Sequence, residues 1–281
     1  MQIIHAVSEM QRTADALRAA GRRIGLAPTM GYLHAGHASL IALARRKADI
    51  VVVSLFVNPA QFGPGEDYRT YPRDLERDLR LIREVGGDVV FNPSAEEMYP
   101  PDFATSVQVE RLTEGLCGPA RPGHFRGVTT VVTKLFNAVK PHFAVFGQKD
   151  AQQGLVIRRM ARDLGMDVEI SIAPTIREPD GLAMSSRNVY LNPDERAQAT
   201  ALHEALNLAR STIASGERNH AVVISRMRAR IAERPAARID YVAIVDTGRL
   251  EPMDRLAGEI LVALAVHIGK ARLIDNIILA V

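Results

Sequence analysis

The sequence predicts an α/β protein: a mostly parallel sheet in an N-terminal domain, then an α+β C-terminal domain. Three observations carry this expectation. Apolar, β-branched runs alternate with helical periodicities through the first part of the chain. The runs are continuous rather than alternating, as parallel strands buried on both faces require. After about residue 177 the rhythm changes to helices followed by strands. The expected division is 1–176 and 177–281.

The elements follow in order. RIGLA (23–27) is a short apolar run, and the loop PTMGYLHAG follows it. Residues 37–47 put Leu40, Ile41 and Ala44 on one helical face, with Arg45, Arg46 and Lys47 at the negative end of the dipole. DIVVVSLFVNP (49–59) is the next strand, completing a βαβ unit whose crossover is right-handed. Leu75, Leu79 and Ile82 mark a helix over 74–85, and DVVFNP (88–93) a strand. A helix over 126–139 leads to the strand HFAVFG (142–147). A helix over 150–164, carried by Leu155, Ile157, Met160 and Leu164, leads to DVEISIAP (167–174). Beyond 177, Asn192 caps and Pro193 opens a helix ending near Gly216, with Leu202, Leu206, Ala209 and Ile213 on its apolar face. Val223, Met227 and Ile231 mark a second helix over 219–232. Strands at 238–246, 259–269 and 271–280 close the chain, the last two joined by a hairpin. Pro and Gly cluster in 58–65, 93–101 and 118–127, where long loops are expected.

Composition narrows the functions. With 281 residues, 47% hydrophobic and 24% charged, the chain is globular rather than disordered. One cysteine, Cys117, excludes an internal disulfide and a cysteine-cluster metal site, and suits a reducing cytoplasm. No apolar run reaches the roughly twenty residues of a membrane helix. The opening MQIIHAVSEM lacks the pattern of a secretory signal. The net charge of +3 lies in residues 1–177, which carry 22 Lys and Arg against 19 Asp and Glu, while 178–281 carry 13 of each. That excess suits small anionic substrates. A nucleic-acid partner would need a dense basic stripe and more stacking aromatics than six Tyr and eight Phe. Only five of the basic residues are Lys, so Lys149 in a polar loop stands out.

Five segments could carry chemistry. The loop after the first strand, Met30-Gly31-Tyr32-Leu33-His34-Ala35-Gly36-His37, precedes a helix whose free N–H groups can hold phosphate. His34 and His37, three apart, can donate to charge that develops during phosphoryl transfer. The loop is neither a P-loop nor a G-x-G-x-x-G turn. Structural capping by the two histidines is the bland alternative, and a metal site lacks a third ligand by spacing. Met184-Ser185-Ser186-Arg187-Asn188, after Asp180-Gly181, offers hydroxyls and a guanidinium for phosphate oxygens, or an ordinary helix cap. Gly147-Gln148-Lys149-Asp150 puts a lysine at a strand end, where an anion or plain solvent would satisfy it. Asn58 and Gln61 could read a polar substrate or form a turn. Arg121-Pro122-Gly123-His124-Phe125-Arg126 is a stiff loop fit for a carboxylate or phosphate.

Taken together, PTMGYLHAGH, FVNPAQF, YPRD, RPGHFRGV, FGQKDAQQ, DGLAMSSRN and LIDNI closely resemble the pantoate–β-alanine ligase family, in its order and over nearly the whole chain. The His-x-x-His segment resembles the HIGH-type signature of the nucleotidylyltransferase superfamily, and MSSRN stands where related enzymes carry a KMSKS-type loop. The resemblance implies a Rossmann-like N-terminal domain with a smaller α+β C-terminal domain, a homodimer and an ATP- and Mg²⁺-dependent reaction. Pantoate is first adenylated with release of pyrophosphate, and β-alanine then displaces AMP. It also implies that Met30 to His37, Gly147 to Asp150, Ile176 and Met184 to Arg187 surround ATP. His34, His37, Lys149, Ser185, Ser186 and Arg187 would be the catalytic groups. Gln61, Gln153 and Arg121 would hold pantoate, Gln61 would also lie near β-alanine, and Asp78 would be the acidic group near Mg²⁺. Gln148 and Ala151 stand where the family often has Glu and an aromatic residue. Asn58–Tyr71, rich in Pro and Gly, is expected to act as a lid that excludes water from a hydrolysable adenylate. Rival readings are a related enzyme that transfers a nucleotidyl group to a phosphate acceptor, and a silent nucleotide-binding scaffold on the same fold.

Overall fold

The computed structural model describes residues 1–281. The first half runs β1 (Gln2–Ile4), α1 (Val7–Ala19), β2 (Ile24–Thr29), α2 (Ala35–Arg45), β3 (Ile50–Leu55), α3 (Leu75–Glu84), β4 (Val89–Phe91) and α4 (Ala95–Met98). It continues with α5 (His124–Val139), β5 (Phe143–Gly147), α6 (Ala151–Asp163) and β6 (Glu169–Ala173). The rest is α7 (Pro193–Gln198), α8 (Ala201–Ala214), α9 (His220–Ala232), β7 (Ala237–Asp246), β8 (Glu259–Ile268) and β9 (Ala271–Ala280). No helix is long and apolar enough to cross a membrane.

The first six strands form one sheet in the order β1-β4-β3-β2-β5-β6, every pairing parallel. The continuous apolar run of β3 follows from burial on both faces. Val52 packs with Met10 of α1 and Leu135 and Phe136 of α5, whereas Val51 and Val53 pack with Ile41 of α2, Ile82 of α3 and Phe143. Each such side chain contributes about 1.5–3 kcal/mol of burial. The last three strands form an antiparallel sheet, β7-β8-β9. Leu202, Leu206 and Ile213 of α8 and Val223 and Met227 of α9 cover one of its faces through Val262, Leu264 and Val266.

The chain forms two compact units. The first holds Met1–Glu110, Arg121–Gln148 and Val156–Pro174; the second holds Arg111–Ala120, Lys149–Leu155 and Thr175–Val281. Two short segments upstream of residue 176 therefore belong to the second unit. Gln152, 6% exposed, binds one to the other: its amide nitrogen donates to the Leu112 and Gly115 carbonyls at 2.9 Å, and its oxygen accepts the Cys117 amide at 3.0 Å.

Several elements differ from the sequence reading. The helix expected from Asn192 to near Gly216 is split into α7 and α8, where the Thr200 hydroxyl donates to the Ala197 carbonyl at 2.9 Å and so competes with the helical ladder. The α2 helix starts at Ala35 rather than 37, because His34 caps it. The pair β1 and α1 precede the first assigned strand, and α1 buries only Met10 and Ala14, which leaves little stripe to read.

Candidate active site

β2 and β5 are neighbours, yet the chain proceeds from β2 toward β3 on one side and from β5 toward β6 on the other. This is the topological switch of the sheet, and ligands of such folds bind beyond the carboxyl ends of its strands. The turn leaving β2 is Met30–His34, and β5 ends at Gly147.

Two successive left-handed residues, Gly31 (φ 84°) and Tyr32 (φ 50°), bend that turn. Asp78 of α3, 2% exposed, holds it: one carboxylate oxygen accepts the Tyr32 amide and the other the Leu33 amide, each at 2.7 Å. Burial pushes the Asp78 carboxyl above its ordinary value, against the opposing pull of the two amides. A Cβ at position 31 would lie 3.0 Å from the same carboxylate. The geometry gives Asp78 a structural task in the loop. Both of its oxygens anchor the loop, and no group of three or more His, Cys, Asp or Glu side chains converges to hold a metal ion anywhere in the chain.

His34 and His37 form a reciprocal capping box on α2. Nδ1 of His34 accepts the Gly36 amide at 3.1 Å, and Nδ1 of His37 accepts the His34 amide at 3.3 Å. The ring centroids are 4.1 Å apart. Because both Nδ1 atoms accept, each neutral ring carries its proton on Nε2. The capping and functional readings of this pair are therefore compatible: one nitrogen orients the ring, and the other is a donor of fixed tautomer.

Gln61 ends a 3₁₀ turn, Pro59–Gln61, capped by the Asn58 side chain through the Ala60 amide. Asn58, 1% exposed, is wholly engaged. Its nitrogen donates to Gln61 Oε1 and to the Gly127 carbonyl at 3.1 Å, and its oxygen accepts the Tyr99 hydroxyl at 2.7 Å. Asn58 is thus a support rather than a substrate reader. Gln61 Nε2 lies 3.2 Å from Met30 Sδ, which brings the second strand-end loop against the first. Arg121, expected at pantoate, is paired with Glu66: Nε and Nη2 donate to its two oxygens at 2.8 and 2.6 Å. A cavity of about 320 Å³ lies beyond β3 and β4, walled by Met30, Gly31, Phe56, Tyr68, Arg73 and Asn92.

In the second unit, the buried Asn276 of β9 donates to the Lys149 carbonyl at 2.9 Å and so fixes the turn that presents this lysine. Its neighbour Asp275 forms a two-bond ion pair with Arg177 at 2.6 and 3.0 Å. The Met184 amide donates to the Ile176 carbonyl at 2.9 Å, so these two candidates for nucleotide contact adjoin. Ser185 caps the 3₁₀ turn Ser186–Tyr190 by accepting the Arg187 amide at 3.2 Å. Asn188 donates to Glu178 at 2.7 Å and to the Ala183 carbonyl at 3.2 Å, closing the loop on itself. Gly181 is obligatory, since φ is +97° and a Cβ would stand 2.2 Å from the His203 ring. Gln153 lies one residue past the structural Gln152 and is half-buried. Sequence reasoning assigned no role to Glu66, His124 or Asn276, although His124 and Asn276 lie inside RPGHFRGV and LIDNI.

A six-stranded parallel sheet with a His-x-x-His turn at its switch point defines a Rossmann-like α/β enzyme of the nucleotide-binding class. The family model for pantoate–β-alanine ligase matches residues 2–278, and the chain belongs to that family. A pantothenate synthetase of Thermotoga neapolitana is 56% identical over 99% of this chain and 100% of its own length. That of Moorella thermoacetica is 56% identical over 100% and 99%. Among solved structures, pantothenate synthetase from Thermus thermophilus superposes with a TM-score of 0.93 at 48% identity, covering 99% of both chains. The pantoate–β-alanine ligase of Francisella tularensis, solved in complex with β-γ ATP and β-alanine, gives 0.80 at 34% identity, covering 99% of this chain and 97% of its own.

Proposed function

We propose that this enzyme condenses pantoate with β-alanine to pantothenate at the expense of ATP, through a pantoyl adenylate, releasing pyrophosphate and then AMP. The observation that carries the reading is the pair of tautomer-fixed imidazoles at the switch point, in a chain whose family match runs almost end to end. The ligands named for the Francisella relative support ATP and β-alanine as substrates here.

A carboxylate and a triphosphate repel each other, so the protein must align them and neutralise their charge. In the first unit, Nε2–H of His34 and His37 and the α2 N-terminus donate to the phosphates, with Met30 to His37 forming the nucleotide loop. Gln61 reads pantoate and then lies against β-alanine, and Gly147 and Gln148 flank the nucleotide. In the second unit, Lys149 meets the phosphate charge beside Asp150, Ser185, Ser186 and Arg187 clamp the departing pyrophosphate, Met184 and Ile176 contact adenine, and Gln153 contacts pantoate. Arg121 serves the pantoate end through Gln61. Mg²⁺ arrives on the triphosphate as part of the substrate, keeping its waters and phosphates, with Asp78 as the acidic group near it. The enzyme works in the cytoplasm as a homodimer.

Pantoate-dependent exchange of labelled pyrophosphate into ATP tests the reaction. Exchange with pantoate, and none with nicotinamide mononucleotide or phosphopantetheine, is expected. Absence of exchange with pantoate overturns the assignment. Light scattering checks the dimer.

A further inference from the structure

We propose that Glu66, Arg121 and His124 form a clamp that shuts the 59–71 loop and fixes the main chain of Gln61, which makes all three positioning residues. For its link to catalysis the clamp rests on the reading of Gln61 as a substrate-binding group. Four of the five guanidinium N–H groups of Arg121 are committed. Nε and Nη2 hold both oxygens of Glu66 at 2.8 and 2.6 Å, Nη2 also reaches the Gln61 carbonyl at 3.3 Å, and Nη1 faces His124 Nε2 at 3.0 Å. His124 Nδ1 lies 2.8 Å from the same Gln61 carbonyl. An arginine only donates and a carbonyl only accepts, so the ring must be neutral with its proton on Nδ1. The Gln61 oxygen thereby receives two hydrogen bonds from residues sixty and sixty-three positions away.

The base of the clamp is stiff. Pro122 fixes one backbone angle, Gly123 turns left-handed (φ 80°) to start α5, and the His124 amide donates back to the Arg121 carbonyl at 3.1 Å. The other half lies in the loop itself. Phe62 packs on Tyr68 and Tyr71 with centroids 5.4 and 6.1 Å away, and Arg73 donates to the carbonyls of Tyr71 and Tyr68 at 2.9 and 3.1 Å. The loop is thus a preformed knot held at the start of α5 through the Glu66 carboxylate and the Gln61 carbonyl. The pair is far more enclosed than an ordinary surface bridge, with side chains 16% and 25% exposed, against 62% and 91% for Arg80–Glu76. Two-bond geometry and partial burial are the conditions under which an ion pair does measurable work.

A group that holds a binding-competent state raises apparent affinity by the fraction of molecules in that state. Loss of the clamp should therefore raise KM for pantoate and β-alanine and change kcat little. Glu66→Gln keeps the shape and removes the charge. About a tenfold rise in both KM values is expected, the effect of one charge-assisted hydrogen bond, with kcat changed less than about threefold. Trypsin should cleave the loop at Arg69 faster, while the melting temperature falls by no more than about 4 °C. Arg121→Gln should match Glu66→Gln in trypsin sensitivity, and the double variant should be no worse than Arg121→Gln alone. Unchanged trypsin sensitivity overturns the clamp. So does a fall in KM, which would mean that Glu66 competes with a substrate carboxylate for Arg121. Gln61→Ala separates the two ideas: if it leaves both KM values unchanged while Glu66→Gln still opens the loop, the clamp stands and the role of Gln61 falls.

Discussion

His37 caps the backbone of His34 with the nitrogen that does not carry its proton, and His34 caps Gly36 in the same way. Capping and chemistry can be separated by substitution. Glutamine at the third helical position retains a cap, so His37→Gln should change unfolding free energy by less than about 1 kcal/mol. It lacks an imidazole donor at the reacting phosphate, so pantoyl adenylate formation should slow about a hundredfold or more. Rapid-quench measurement of the adenylate checks this, and an undiminished rate removes His37 from the chemistry.

Lys149 and Asn276 form a lever of graded effect. Lys149→Ala should slow adenylation about a hundredfold by removing charge from the phosphate site. Asn276→Ala, which frees the carbonyl beneath that lysine, should cost less, about three- to tenfold, and Lys149→Ala/Asn276→Ala should be no slower than Lys149→Ala. Additive losses in single-turnover assays would show that Asn276 acts elsewhere.

Gly127 allows α5 to touch the Gln61 turn. A Cβ there would sit 2.2 Å from the Ala60 carbonyl oxygen and 2.6 Å from the Gln61 nitrogen, both backbone atoms with little room to yield. Gly127→Ala should destabilise the protein by about 1–3 kcal/mol and raise KM for pantoate. Calorimetry with steady-state kinetics measures both, and an unaltered melting temperature would contradict the close approach.

Gln152 and Gln153 are adjacent and should behave oppositely. Gln152→Ala leaves two carbonyls and an amide without their buried partner and should cost about 2–4 kcal/mol of stability. Gln153→Ala should leave stability within about 0.5 kcal/mol and raise KM for pantoate. Chemical denaturation of both variants decides.

Glu66 gives the clamp a defined acid limit. Burial pushes its carboxyl up, but the hydrogen bond and charge of Arg121 outweigh this and hold it below the ordinary 4.5. The stabilisation it supplies is present in full above that value and is lost as pH falls through the lower folded value. The stability difference between the native protein and Glu66→Gln should therefore be constant near neutrality and shrink only below about pH 4.5. A difference that persists at pH 2 would show that the carboxylate charge is not its source.

Much of the fold was legible because both signals of an α/β protein are strong here: β-branched runs such as VVVSLFV and stripes such as Leu202, Leu206 and Ile213. The weak stripe of α1 and the hydroxyl that splits α7 from α8 were not, since both depend on local bonding that periodicity does not report. In the site, residue type located the His34–His37 turn but left open whether capping or chemistry explained it, and the structure shows capping by Nδ1 of both rings. Arg121 illustrates the harder limit. Its guanidinium fits a carboxylate, as chemistry suggested, but the carboxylate is the protein's own Glu66, fifty-five positions away. Long-range pairings of this kind, like Asp78 with Tyr32 and Asn276 with Lys149, arise only once strands are in register.

Neither compact unit is a continuous stretch of polypeptide, and this bears on how the molecule is made. A nascent chain that has emerged only as far as residue 176 already contains Gln152 and the Cys117 segment, whose unit is otherwise unsynthesised. A fragment cut at that point would expose these amide and carbonyl groups to water, and the complementary fragment from 177 onward would lack Lys149 for Asn276 to hold. Completion of the second unit accordingly waits for β9, and the two halves of the chain are poor candidates for expression as separate pieces.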